Sequence, residues 1–130
     1  MSDTTKTILI VEDEKDLLES YKELVESAGY IAITSMDGYQ GLDQLAKNIG
    51  GIDLVLLDLM MPGVDGLEVL RAVKANPDKY GKMPIVVLTN MTSEAVIKES
   101  FDLGSSSYLV KTDLDYQGLV KELSKYLGSN

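Results

Sequence analysis

The sequence predicts an α/β domain in which helices cover both faces of a parallel β-sheet. Short apolar runs alternate with longer segments whose apolar residues recur at helical spacing. Because parallel strands need long crossovers between them, this alternation is typical of a doubly wound sheet. A chain of 130 residues suits one core, so we expect a single domain over residues 1–130 with an ordered core over about 7–127.

The first two strand–helix pairs are predicted near the amino terminus. A strand at Thr7–Val11 is followed by a helix at Lys15–Ser27, whose apolar residues share one face and which Gly29 can end. A second strand is predicted at Tyr30–Thr34, and a second helix at Tyr39–Asn48.

The rest of the chain supplies three more pairs with the same signals. Runs rich in Val, Ile and Leu predict the strands, and leucines and valines at helical spacing predict the helices. The pairs are Ile52–Leu57 with Gly66–Ala75, Ile85–Leu88 with Ser93–Leu103, and Ser107–Val110 with Asp115–Leu127. Asn76-Pro77 is expected to end the third helix and Gly104 the fourth.

Composition excludes several kinds of chemistry and of partner. The chain has no cysteine and no histidine, so thiol nucleophiles, disulfides, histidine ligands and Ser-His pairs are all excluded. The 21 acidic and 12 basic residues give a net charge of −9, which argues against direct binding to nucleic acid or to an anionic membrane. There is neither a signal-peptide pattern nor an apolar stretch of roughly 20 residues that could span a membrane. We therefore expect a cytoplasmic protein.

Polar residues follow four of the predicted strands at the carboxyl end. Glu12 and Asp13 follow the first strand and Asp58 the third, while Thr89 follows the fourth and Lys111 the fifth. The carboxyl ends of parallel strands meet at one edge of the sheet, where open α/β folds place their binding sites. Taken singly, each residue also fits a structural role as a helix cap, an acidic helix start or a solvated charge. Together they predict a site.

This set of residues suits a carboxylate that accepts a phosphoryl group. Such a transfer brings negative charges together at Asp58, and a divalent cation with oxygen ligands, such as Mg²⁺, would offset them. Asp13 and Asp58 would bind the cation directly, with Glu12 helping directly or through water. Lys111 would place a positive charge beside the transferred oxygens, and the Thr89 hydroxyl would donate to them. No base is needed, because an aspartate is already ionised at neutral pH.

Several longer segments form a recognisable pattern around these positions. They are Ile8–Glu14, Asp53–Gly63, Asp65-Gly66, Pro84–Thr89, Gly104 and Tyr108–Lys111. In these segments the chain resembles the receiver domain of response regulators in two-component signalling, over nearly its whole length. The resemblance implies a flavodoxin-like (βα)5 fold with strand order 2-1-3-4-5. It also implies that a histidine kinase or a histidine phosphotransfer protein phosphorylates Asp58 in the presence of Mg²⁺.

The resemblance further implies a conformational switch. Thr89 would move to the phosphoryl group, and Tyr108 would rotate inward behind it. The face formed by the fourth helix, the fifth strand and the fifth helix would then change and bind a downstream protein or a second copy of the chain. The backbone carbonyl of Met60 is implied as a further ligand of the metal.

The chain departs from the family pattern just after Lys111. The family usually has a proline there, in a cis peptide, whereas this chain has Thr112. A cis bond before a residue other than proline costs about 3–4 kcal/mol. A trans bond is therefore the default, and the flexible Lys111 side chain can reach the site from a trans peptide or from a tolerated cis one.

Two further departures flank the predicted site. Asn90 follows Thr89 where the family usually has a small residue, and it would either hydrogen-bond the phosphoryl group or hinder an attacking water. Met60 and Met91 lie two residues after Asp58 and Thr89. They would either shield the site from water or simply pack within their loops.

Two classes of enzyme lack a required motif in this sequence, and one further alternative stays open. A nucleotide-binding enzyme would need a glycine-rich loop after the first strand, where the chain has the charged segment Glu12–Lys15. A haloacid-dehalogenase-type phosphatase would need a second aspartate two positions after Asp58, where the chain has Met60. A receiver-like scaffold that is never phosphorylated stays open because of Asn90 and Thr112.

Overall fold

A five-stranded parallel sheet forms the centre of the computed structural model, which describes residues 5–128. The strands are β1 (Thr7–Val11), β2 (Ile31–Ser35), β3 (Leu54–Leu57), β4 (Ile85–Thr89) and β5 (Ser107–Val110). They lie in the order β2-β1-β3-β4-β5, and every neighbouring pair is parallel. The predicted doubly wound, flavodoxin-like topology is confirmed.

Helices cover both faces of the sheet. They are α1 (Lys15–Ser27), α2 (Gly38–Lys47), α3 (Gly66–Ala75), α4 (Glu94–Asp102) and α5 (Tyr116–Leu127). Two shorter segments were not predicted, a helical turn at Pro77–Tyr80 and a 3-10 turn at Lys111–Asp113. In the part of the chain that the structure describes, every helix is too short or too polar to cross a membrane.

The strands separate two hydrophobic layers, because successive side chains of a strand point to opposite faces. Ile8 and Ile10 of β1 pack with residues of α1 and α5. Leu9 and Val11 pack with residues of α2 and α3 on the other face. Strands β3 and β4 are buried along their whole length, as expected for central strands of a parallel sheet. Asp58, which directly follows β3, is therefore attached to a rigid part of the sheet.

The ends of several helices differ from the predicted ends by one residue because of capping. Ser93 and Asp115, predicted as the first residues of their helices, are instead N-caps whose side chains accept bonds from backbone N–H groups within the helix. Helix α2 begins at Gly38 because the Asp37 side chain accepts from the Gln40 N–H at 2.8 Å. These polar residues act at the boundary, where periodicity carries little information.

Two strands begin later than predicted. Strand β2 starts at Ile31 because the Tyr30 N–H donates to the Val25 carbonyl of α1 and is not available to the sheet. Strand β3 starts at Leu54, whereas the prediction began it at Ile52. Just before it, the Asp53 side chain accepts from the Thr7 N–H at 2.8 Å and closes the start of the β1–β3 pair.

Candidate functional site

Three carboxylates meet at the carboxyl ends of β1 and β3. Val11 pairs with Leu57 in the sheet, so the residues that follow them, Glu12 and Asp58, lie side by side. Glu12, Asp13 and Asp58 each offer one oxygen, and these atoms lie within 4.8 Å of one another. Glu12 is 2% exposed and Asp58 5%, while Asp13 is half-buried. The structure therefore brings together the three acidic residues predicted for the metal site.

The Asp58 carboxylate is fixed by its own loop and by the start of α3. Its Oδ1 accepts a hydrogen bond from the Met60 N–H at 3.1 Å. Gly66 packs against the same backbone and donates its N–H to the Leu59 carbonyl at 3.1 Å. A Cβ at position 66 would lie 2.5 Å from the Asp58 carbonyl oxygen and 2.6 Å from the Leu59 Cα. Glycine is needed at this position, and the close approach holds the Asp58 backbone in place.

Lys111 enters the same cluster from the end of β5. Its Nζ donates to Glu12 Oε1 at 2.6 Å and to Asp58 Oδ2 at 2.9 Å. Its side chain is 10% exposed. Every peptide bond within residues 5–128 is trans, including the bond from Lys111 to Thr112. Lys111 therefore reaches the acidic residues from a trans peptide.

The charges of this cluster are mutually dependent. Burial raises the pKa of Glu12 above its ordinary value, and the hydrogen bond from Lys111 offsets only part of this. For Lys111, burial alone would lower the pKa, but the hydrogen bonds with Glu12 and Asp58 outweigh it and the pKa is raised. Lys111 therefore stays protonated at neutral pH and balances part of the negative charge around Asp58.

The two residues predicted to form the switch are both bonded to the backbone of Met91. Thr89 is fully buried, and its Oγ1 accepts from the Met91 N–H at 3.5 Å. The Tyr108 hydroxyl donates to the Met91 carbonyl at 2.7 Å, and its ring lies 6.5 Å from the Phe101 ring of α4. Burial raises the pKa of Tyr108, and the charge of Asp58 adds to this, so its hydroxyl remains a donor. Thr89 and Tyr108 are thus connected through one residue.

Asn90 and Thr112 form a contact that the sequence did not predict. The Asn90 Oδ1 accepts a hydrogen bond from the Thr112 N–H at 3.2 Å, and both residues are exposed. Thr89 pairs with Val110 at the end of the β4–β5 ladder, which places the two following segments side by side. One feature of the sequence could have predicted this contact. Asn90 and Thr112 both depart from the family pattern, and both lie just after strands that were expected to be neighbours in the sheet.

Met60 and Met91 lie on one side of the site. Together they help line a groove of about 430 Å³. The other lining residues are Leu59, Met61, Pro62, Asp65 and Leu67. The Met60 side chain is 58% exposed, whereas Met91 is half-buried. The structure places both methionines beside the site, and their effect on water access stays a prediction.

Comparisons with known proteins agree with this fold. A family model described as the response regulator receiver domain matches residues 8–123. The transcriptional regulatory protein CpxR of Escherichia coli is 38% identical over 104 residues, which are 80% of this chain and 42% of CpxR. The chain therefore spans less than half the length of this curated relative.

Two solved structures agree closely in fold. The chemotaxis protein CheY4 of Vibrio cholerae has a TM-score of 0.84 and 28% identity, and the match covers 95% of this chain and 99% of CheY4. A CheY-like receiver domain protein of Methanospirillum hungatei has a TM-score of 0.84 and 27% identity, with 95% and 94% of the two chains covered. With the family model matching over residues 8–123, these findings show that the chain belongs to the response regulator receiver domain family of two-component systems.

Proposed function

We propose that Asp58 accepts a phosphoryl group from the phosphohistidine of a histidine kinase or a histidine phosphotransfer protein. The observation that carries this proposal is the position of the Lys111 ammonium group. It lies 2.9 Å from Asp58 Oδ2 within a cluster of acidic side chains at the carboxyl edge of the sheet. A lysine held this way places positive charge beside the oxygen atoms that a phosphoryl group would add.

The transfer follows from the chemistry of the carboxylate. An Asp58 oxygen attacks the phosphorus, the bond between phosphorus and the imidazole nitrogen breaks, and the imidazole leaves with the bonding electron pair. Asp58 becomes an acyl phosphate. The Met60 N–H and the Lys111 ammonium each hold one oxygen of the carboxylate, so Asp58 is already oriented before the donor arrives.

The acidic residues also fit a divalent cation. Glu12, Asp13 and Asp58 offer closely spaced hard oxygen ligands, which suit Mg²⁺. We propose that Asp13 and Asp58 bind the ion directly, with Glu12 assisting and the Met60 carbonyl as a further ligand. When bound, the ion would offset the negative charge that a phosphoryl group brings to the cluster. Lys111 has a similar effect on Glu12 and Asp58, because its ammonium group forms an ion pair with each of them.

We propose that phosphorylation is transmitted through Met91. A phosphoryl group on Asp58 offers the Thr89 hydroxyl a much stronger partner than the Met91 N–H, which lies 3.5 Å away. Moving Thr89 frees the N–H of Met91, and the carbonyl of the same residue accepts from the Tyr108 hydroxyl. The face formed by α4, β5 and α5 would then shift in population toward a second arrangement.

The proposed output is a protein contact. Phe101 is 47% exposed on α4 and its ring lies near Tyr108, so this face offers apolar surface next to the switch. The partner would be a downstream protein or a second copy of the chain, in the cytoplasm. The net charge of −9 does not favour direct contact with nucleic acid.

Mass spectrometry after incubation with acetyl phosphate and Mg²⁺ tests the proposal. The wild-type chain should gain about 80 Da, and Asp58→Asn should abolish the gain. Asp53→Asn is a matched control, because Asp53 lies just before β3 and bonds to the Thr7 N–H, away from the acidic cluster. Labelling that persists in Asp58→Asn would contradict the assignment. A wild-type chain that gains no mass would favour the alternative of an unphosphorylated scaffold.

A further inference from the structure

The contact between Asn90 and Thr112 joins the loop after β4 to the segment after β5. Asn90 directly follows Thr89, and Thr112 directly follows Lys111. The Thr112 N–H donates to the Asn90 Oδ1 at 3.2 Å. One hydrogen bond therefore ties the loop after β4 to the 3-10 turn that begins with Lys111.

Each of the two residues that depart from the family pattern supplies one partner of this hydrogen bond. Only the carbonyl oxygen of the Asn90 carboxamide can accept from a backbone N–H, so the orientation of the side chain is set. Thr112 supplies a backbone N–H that a proline would lack. Thr112, which stands where the family usually has proline, thus provides the donor. Asn90, which stands where the family usually has a small residue, provides the acceptor.

Apart from the ion pairs of the Lys111 side chain, few contacts restrain the backbone of the turn that begins with Lys111. Strand β5 lies at the edge of the sheet, so it has a neighbouring strand on one side only. Thr112 and Asp113 are exposed. The bond within the turn, from the Leu114 N–H to the Lys111 carbonyl, is long at 3.4 Å. A hydrogen bond from outside the turn can therefore influence the backbone position of Lys111, from which its side chain extends into the site.

We propose that Asn90 is a positioning residue for Lys111. Its bond to Thr112 holds the 3-10 turn against the loop after β4 and keeps the Lys111 ammonium between Glu12 and Asp58. This inference rests on the proposed function for its kinetic consequence. It also assigns the Asn90 carbonyl to the neighbouring loop, so direct contact between this oxygen and a phosphoryl group is not part of its role.

The first test measures position in the unphosphorylated chain by NMR. Asn90→Ala should speed hydrogen exchange at the Thr112 amide. It should also move the ε-methylene resonance of Lys111 toward that of exposed lysines. Ser93→Ala is the matched control, because Ser93 lies in the same loop and accepts an exposed backbone bond from Val96 within α4. Unchanged Thr112 exchange and an unchanged Lys111 resonance in Asn90→Ala would overturn the inference.

The second test measures phosphorylation by acetyl phosphate with Mg²⁺. Asn90→Ala should lower the rate at saturating donor by about fivefold, the effect of one ordinary hydrogen bond. The half-saturating donor concentration should not change, because Lys111 acts on the transferred oxygens and not on donor binding. Ser93→Ala should match the wild type.

A double-mutant cycle separates positioning from direct contact. If Asn90 acts through Lys111, Asn90→Ala should cause no further slowing in a Lys111→Ala background. An undiminished fivefold effect there would overturn the inference and indicate that Asn90 itself touches the phosphoryl group. A wild-type chain that accepts no phosphoryl group would instead refute the proposed function, and the NMR measurement would still decide whether Asn90 positions Lys111.

Discussion

The two halves of the site are held in different ways. The carboxylate half, Glu12, Asp13 and Asp58, follows the paired strands β1 and β3. Its backbone is fixed by sheet register and by the close packing of Gly66. The switch half consists of Thr89, Asn90, Tyr108, Lys111 and Thr112. It comprises the last residue of β4, a residue of the edge strand β5 and the residues just after these two strands, and it depends on hydrogen bonds between these segments.

This difference suits the different tasks of the two halves. A group that accepts a phosphoryl group gains from a fixed position, because misplacement of reacting atoms slows transfer. Groups that report the transfer must be able to exchange one hydrogen bond for another. Lys111 belongs to the switch half by its backbone and to the carboxylate half by its ion pairs, so it is the link between them.

The largest effect is expected from breaking the carboxylate half at Asp13. Asp13→Asn removes the charge of a proposed direct ligand and should weaken Mg²⁺ binding by roughly a hundredfold or more, since even residues that only support a ligand are worth about 10- to 100-fold. The gain in thermal stability that Mg²⁺ gives the wild type should largely disappear. Thermal unfolding at several Mg²⁺ concentrations measures this. Asp16→Asn, an equal charge change at an exposed position of α1, is the control. A wild-type Mg²⁺ response in Asp13→Asn would show that Asp13 is not a ligand.

Removing the link between the halves should have the next largest effect. Lys111→Met leaves Glu12 and Asp58 close together and buried without their cation. In metal-free buffer we expect the free energy of unfolding to fall by roughly 3 kcal/mol, as when a buried ion pair loses one partner. Urea denaturation measures this. Lys22→Met, which breaks an exposed pair with Glu26, should cost less than about 1 kcal/mol. Equal losses in the two variants would contradict the proposed role of Lys111.

The pH dependence of this loss has a definite sign. A carboxyl group whose pKa is higher in the folded chain favours folding most below its unfolded pKa, and this advantage is lost as pH rises through the folded pKa. The pKa of Glu12 is already raised, and losing the Lys111 hydrogen bond should raise it further. The deficit of Lys111→Met should therefore grow as pH rises above 4.5. In the wild type the raised pKa of Lys111 preserves its contribution up to at least pH 10.5.

The same difference between the halves explains how much the sequence could predict. The order of strands and helices could be predicted because strands such as β3 and β4 are continuous apolar runs. The polar residues at the ends of these runs could then be predicted to lie at one edge of the sheet. Helix ends were less readable, since Ser93 and Asp115 act as caps outside the helices. The Pro77–Tyr80 turn is too short to show a period.

The contacts made by residues of the switch half depend on tertiary structure, which no local sequence pattern encodes. Lys111 bonds to Glu12 across 99 positions of the chain, and Thr112 bonds to Asn90 across 22. The sequence predicted that Lys111 and Glu12 would lie at one edge of the sheet, but it did not predict that they would bond to each other. The pairing of Asn90 with Thr112 depends on the exact offset of two loops, which only the β4–β5 register fixes.

A smaller effect is expected from changing the switch half at Thr89. Thr89→Val keeps the shape of a buried side chain but removes the hydroxyl that would reach the phosphoryl group. Backbone NMR of the wild type with beryllofluoride should show shifts at Tyr108 and across Glu94–Asp102. In Thr89→Val the shifts should stay in the loops around Asp58, whereas Thr34→Val on β2 should respond as the wild type does. Unmoved Tyr108 and α4 resonances in the wild type would make the chain a phosphate carrier and not a switch.

The smallest effect is expected at the hydrogen bond between Tyr108 and the Met91 carbonyl. Tyr108→Phe removes only the hydrogen bond to the Met91 carbonyl, so the free energy of unfolding should fall by about 1 kcal/mol. Because this bond holds the ring where it is in the unmodified chain, its loss should also move the NMR spectrum partway toward the beryllofluoride-bound one. Tyr116→Phe, which changes an exposed tyrosine at the start of α5, should do neither. A Tyr108→Phe spectrum that differs from the wild type only beside the substitution would show that the Met91 link does not restrain the switch.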